Sequence, residues 1–214
     1  MSFLFYKTIL RALFLGMQPI YIGESGFQLF NNKYYRWRKR EEDFPFGSDN
    51  NILKKSNMIL AITDNNILFY QINNENTNKK IFLNFLIKMI EKIPESDKEN
   101  KLVIMDNAKF HFSDEIKTLF EKNKTKVLTI SPYNSDQNMC ELVFRHLKLK
   151  IRKINFKTHK KMVEKLNDIL RDENICNLIK KLFKSTLIYY RNIINKNNDY
   201  KIVEASFNKL FKNN

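Results

Sequence analysis

The chain has 214 residues, 43% of them apolar and 13% aromatic, enough for one sizeable core. No uncharged apolar run reaches 18 residues, which argues against a membrane span, and two cysteines with three histidines make neither a disulfide scaffold nor a zinc cluster. Lys and Arg outnumber Asp and Glu by 38 to 23, and the excess is concentrated in residues 101–214, with 24 basic against 12 acidic side chains. Such a surface suits a phosphate backbone, although the abundance of Lys, Asn and Ile also fits an AT-rich coding sequence.

Residues 3–16 are apolar but contain Lys7 and Arg11, so they read as an amphipathic helix and not as a secretory signal. A reduced, intracellular setting is the expectation. Pro19–Gly23 reads as a strand closed by a turn around Gly26, and Lys33–Arg38 as its hairpin return with a basic tip. Residues 44–51 are loop. Asn57–Ala61 and Ile67–Ile72 are β-type runs around the turn Thr63-Asp64-Asn65-Asn66. After the linker NENTNKK, Ile81–Ile93 has helical apolar spacing stopped by Pro94.

Lys101–Met105 is the near-continuous apolar run of a strand buried on both faces. Ser113 is placed to cap a helix with Asp114 and Glu115 in its first turn, and Val127–Ile130 is the next strand. A long helix starts near Gln137, with Val143, Leu147 and Ile151 on its core face and Arg145, Lys148 and Arg152 pointing elsewhere. The remainder is helical, with breaks near 171–174 and 195–199. This order predicts an α/β domain in which an antiparallel meander joins parallel strands.

Asp106 follows a buried strand, at the end where open α/β sheets expose working side chains. Glu141 lies in the first turn of the long helix, 34 residues intervening. Brought together, these carboxylates could share a hard divalent cation with substrate phosphate oxygens. Each has a structural reading too. Asp106-Asn107 could form an Asx turn, Asn138 and Glu141 a capping box, and His111 a bond to nearby backbone.

LVIMDNAKFH resembles the strand-Asp-Asn-Ala-x-x-His motif of the Tc1/mariner and IS630-like transposases, members of the DDE superfamily of endonucleases. SPYNSDQNMCELVFRHLK resembles their Pro-Tyr-Ser-Pro-x-x-Asn-Pro-x-Glu segment, and YIGESGF their first-acid motif, a strand closing in Asp-Glu-Ser/Thr-Gly. NNKYYRWRKR is similar to the basic strand that follows. The resemblance covers residues 18–155 in order, with the interval that Tc1-like members keep between second and third acids.

It implies a ribonuclease H-like mixed sheet with flanking helices, dependent on Mg²⁺ or Mn²⁺, that cuts element ends and joins them to target DNA. Residues 1–17 would be an N-terminal helical segment and 156–214 a C-terminal helical extension. By position Asp106 is the second acid and Glu141 the third, both metal ligands, with Glu24, Asn107, His111 and Asn138 in support. The family's helix-turn-helix region would not fit in the seventeen residues before the first strand.

Gly23 stands where the first acid belongs. Glu24 is present, but neighbouring side chains of a strand face opposite ways, so it is no simple substitute. Asp64 is a remote alternative because its turn should lie at the far end of the meander. Chemistry is therefore expected to be impaired or absent. The other reading is a noncatalytic DNA- or protein-binding module using Arg145, Lys148, Lys150, Arg152 and Lys153, extended by Arg36, Arg38, Lys39 and Arg40 around Trp37. Double-stranded DNA is the expected partner, with homodimerisation as an option and the nucleus as the corresponding address.

Overall fold

The computed structural model describes residues 2–28, 55–108, 111, 113–130, 137–154 and 156–195. Five strands form one sheet: β1 (Gln18–Gln28), β2 (Lys55–Ile62), β3 (Ile67–Asn73), β4 (Lys101–Met105) and β5 (Lys126–Thr129). Their spatial order is β3-β2-β1-β4-β5. β1 to β3 form the antiparallel meander, and β4 and β5 continue the sheet parallel to β1. Six helices flank it: α1 (Ser2–Phe14), α2 (Lys79–Ile90), α3 (Asp114–Lys122), α4 (Met139–Arg152), α5 (His159–Arg171) and α6 (Glu173–Asn195). No described helix is long and apolar enough to cross a membrane.

Side chains of a strand alternate between faces, and this alternation divides the core in two. Ile20, Ile22, Ile59, Val103 and Met105 pack under α2 and α3, against Phe82, Phe85 and Ile116. Tyr21, Phe27, Leu60 and Ile104 face the opposite layer, which α1, α4, α5 and α6 build. Val143, Leu147 and Ile151 of α4 are all buried there, as their four-residue spacing predicts.

The structure corrects several sequence-based boundaries. The first strand does not turn at Gly26 but stays paired with β2 to its end, Gly26 opposite Asn57 and Gln28 opposite Lys55. A glycine in a strand marks close approach, and here the Lys55 side chain lies over it. α1 stops earlier than expected, at Phe14, because Gly16 adopts φ +85° and Met17 N–H donates back to Ala12 O. α2 ends at Ile90, and Lys92 and Ile93 form tighter three-residue bonds before Pro94. Ser113 holds the N-cap position of α3 without a side-chain cap bond; its carbonyl accepts from Ile116 and Lys117. The return strand read at Lys33–Arg38 lies outside the described residues.

Candidate active site

β1 and β4 run parallel with Tyr21 opposite Ile104, so two further residues bring Gly23 level with Asp106. This is the C-terminal edge of the parallel strands, where loops leave the sheet. Odd-numbered residues of β1 face α4, and Gly23 follows them. A Cβ built on Gly23 would stand 2.7 Å from Cys140 Cβ, 3.1 Å from Phe144 Cε2 and 3.3 Å from Asn138 Nδ2. The volume a side chain at Gly23 would need is filled by the first turn of α4.

That turn is tied to the sheet by side chains that read its backbone. Asn138 caps α4 by accepting from Cys140 N–H at 3.0 Å, while its Nδ2 donates to Ile22 O at 2.8 Å. Cys140 Sγ donates to Tyr21 O at 3.2 Å and approaches Leu60 O at 3.5 Å. Burial, together with the nearby Glu141 charge, holds the Cys140 thiol well above its usual range, so it is a neutral packing group. Glu141 makes no return bond to the Asn138 amide, so the capping-box reading fails in its second half. The glutamate stays exposed instead.

Asp106 directly follows β4. Its Oδ1 accepts from Ala108 N–H at 3.1 Å, which is the Asx turn, and from His111 Nδ1 at 2.8 Å. The histidine also faces the Asp106 carbonyl at 3.3 Å. On its other side Nε2 lies 3.1 Å from Glu24 Oε1. Glu24 thus points to the α2 side of the sheet, away from Gly23's neighbours. The imidazole is 3% exposed and stacks on Phe82 with centroids 4.0 Å apart.

A carboxylate only accepts hydrogen bonds, so a ring held between two of them must donate from both nitrogens. Burial pushes the His111 pKa down, but the bonds to Asp106 and Glu24 outweigh it and raise it to about 9. The same bond is the main cause of a lowered Asp106 pKa. Glu141 moves the other way: partial desolvation raises it, Lys148 opposes, and Asp106 adds a smaller upward push. Asp106 and Glu141 are therefore close enough to feel each other's charge. Asn107 is exposed beside them.

Among the described residues no three His, Cys, Asp or Glu side chains are grouped so as to hold a metal. Asp64 lies in the β2–β3 turn, beyond Ile62, which pairs with Tyr21, and its neighbouring charge is Lys101 at the start of β4. It is at the wrong end of the sheet.

On α4 and its C-cap, Arg145, Lys150, Arg152 and Lys153 are exposed, and Lys148 is half-buried with Nζ 5.8 Å from the Phe27 ring centre. A groove of about 360 Å³ runs along this helix past Glu141, Arg145, Lys148 and Arg152. Arg36, Arg38, Lys39, Arg40 and Trp37 lie outside the described residues. Cys140 and Phe82 were not singled out in the sequence.

Comparisons with known proteins agree with this geometry. The family model described as DDE superfamily endonuclease matches residues 18–163. The isolated catalytic domain of Mos1 mariner transposase superposes with a TM-score of 0.65 at 13% identity, covering 94% of this chain and 95% of that one. The pre-cleavage Mos1 transpososome and the Mos1 paired-end complex with Mn each give 0.67, at 11% and 12% identity. This chain spans 63% of the length of those longer Mos1 chains. No curated protein gives a significant match. The family match covers most of the chain and the fold superposes on the mariner catalytic domain over nearly its whole length: the chain belongs to the DDE superfamily endonucleases and has the fold of a Tc1/mariner-like transposase catalytic core.

Proposed function

We propose that this is a transposase-derived domain that keeps the DDE fold and an affinity for double-stranded DNA but has lost most or all strand-cutting chemistry. The observation that carries the proposal is Gly23, at the level of Asp106, with no room for a side chain. Asp106 takes the role of second acid and Glu141 of third. Together they offer two of the carboxylates from which a Mg²⁺ or Mn²⁺ centre for phosphoryl transfer is built. Mos1 structures include complexes with a transposon end and with Mn or Mg, which supports DNA and divalent ions as the ancestral partners. His111 positions Asp106 and ties it to Glu24, and Asn107 and Asn138 complete the supporting set. Homodimerisation and nuclear residence belong to the same proposal, as consequences of a DNA partner.

The DNA-binding part rests on charge. The net formal charge of +15, concentrated after residue 100, includes the exposed cations of α4. The test is cleavage of end-labelled duplex DNA with Mg²⁺ or Mn²⁺, beside binding titrations in EDTA. Wild type should bind, with affinity falling linearly in log–log terms with salt, and should not cut. Cleavage by wild type that disappears in Asp106→Ala would overturn the loss of chemistry. Absence of binding at low salt would overturn the DNA partner.

A further inference from the structure

We propose that the centre has become one that excludes divalent ions, because α4 fills the first-acid position and Asp106 is already engaged by groups of the chain itself. The inference rests on reading Gly23 as that position, and it adds that restoring the acid would not restore the site. Two observations carry it together.

The first is steric. The nearest atom to a Cβ at Gly23 is Cys140 Cβ, at 2.7 Å, well inside the 3.5–4.0 Å at which carbon atoms rest. A Cβ is backbone-borne and cannot swing aside like the end of a long side chain. Relief would require α4 to lift off the sheet. The contacts from Asn138 to Ile22 O and from Cys140 to Tyr21 O hold it there. An aspartate at Gly23 must therefore displace the helix that carries Glu141, the third acid. Gaining the first carboxylate moves the last one.

The second is the coordination already met at Asp106. Its Oδ1 is shared between His111 Nδ1 and the Ala108 amide. A cation arriving at that oxygen competes with two donors, one of them a buried ring stacked on Phe82 and bonded beyond it to Glu24. Divalent ions in phosphoryl-transfer sites depend on one or two freely available carboxylates plus substrate oxygens. With Oδ1 taken, an ion is left Asp106 Oδ2 and Glu141, without the first acid that would complete a two-ion centre.

The experiment is Mn²⁺ binding by the full chain, read by electron paramagnetic resonance and by calorimetry with MnCl₂ and MgCl₂, for wild type, Gly23→Asp and Gly23→Asp/Cys140→Gly. Wild type and the single variant should show no saturable ion uptake and no metal-dependent rise in Tm at millimolar metal. The double variant, in which the obstructing Cβ is gone, should take up Mn²⁺. Saturable uptake by wild type or Gly23→Asp that is lost on adding Asp106→Asn would overturn the inference. So would a folded double variant that remains silent. The wild-type arm stands even where a variant fails to fold. Uptake by wild type without DNA cleavage would sink this inference and leave the proposed function intact; metal-dependent cleavage by wild type would sink both.

Discussion

Replacing Gly23 by alanine adds one methyl group at the β1–α4 contact, and its effect can be worked out from neighbouring glycines. In a strand, glycine to alanine normally stabilises by about 0.5–1 kcal/mol, since the unfolded chain loses freedom. At Gly23 the methyl carbon would sit 2.7 Å from Cys140 Cβ, so β1 and α4 must separate by close to an ångström. Overpacking of this kind costs about 1–3 kcal/mol. The steric term wins, and a net loss of about 1–2 kcal/mol is expected, or roughly 2–8 °C in Tm for a chain of this size. Gly26→Ala is the control, because its Cβ would meet Lys55 Cε, the mobile part of a lysine side chain that can swing away. That variant should be neutral or slightly stabilising. Gly16→Ala should be destabilised for a different reason: nothing lies within 4 Å of its Cβ, but φ is +85°, which costs an L-residue about 1–2 kcal/mol. Thermal and urea denaturation of the three variants, with Cys140→Gly added to Gly23→Ala, form the assay. A Gly23→Ala protein as stable as wild type, or no coupling between Gly23→Ala and Cys140→Gly, would refute the close-packing argument.

Three further expectations follow from the same contacts. The His111 pKa is raised from 6.5 to about 9, so its stabilisation is complete below pH 6.5 and is lost as pH rises through 9. The rise is equivalent to about 3 kcal/mol, so in EDTA the wild type should lose several degrees of Tm across that window that His111→Gln does not lose. Asn138→Ala removes both a helix cap and a buried bond to Ile22 O, and unfolding experiments should register about 1–3 kcal/mol of lost stability. On α4, Arg145 and Arg152 stand seven residues apart, about 10.5 Å along the axis, a span of about three phosphates of one strand. Changing Arg145, Lys148 and Arg152 together to Gln should flatten the log–log salt dependence of duplex binding by about 2.7. The pair Lys150→Gln/Lys153→Gln, removing two cations instead of three, should flatten it by less, about 1.8 at most.

What the sequence disclosed were features set by local pattern. The β4 run Lys101–Met105 matched its observed bounds because a strand covered on both faces must be apolar throughout. The Thr63–Asn66 turn, the position of Asp106 past β4 and the core face of α4 were legible for similar reasons. What remained hidden depends on partners far along the chain. Gly26 reads as a turn residue until β2, about thirty residues on, is known to continue the ladder beside it. Asp106-Asn107 as an Asx turn and His111 as a backbone-bonded histidine are both realised. No spacing rule shows that the far side of that histidine meets Glu24, 87 residues earlier. The Gly23–Cys140 contact depends on how closely a helix is seated, which no periodicity encodes.

On the proposed reading of Gly23, losing the first acid and keeping the domain intact are linked. A carboxylate at Gly23 would have stood near Asp106 and Glu141, adding like charge to an edge of the sheet where Asp106 already pushes the Glu141 pKa upward. With glycine there, that repulsion is absent and α4 can close onto β1. Asn138 and Cys140 then bond to Ile22 and Tyr21 carbonyls beside the glycine. The trade is the familiar one between a strained, charged active site and a better-packed one. It also gives the change a direction. Each bond that α4 makes to the β1 backbone raises the cost of reopening the site, so reversal would need more than a change at Gly23.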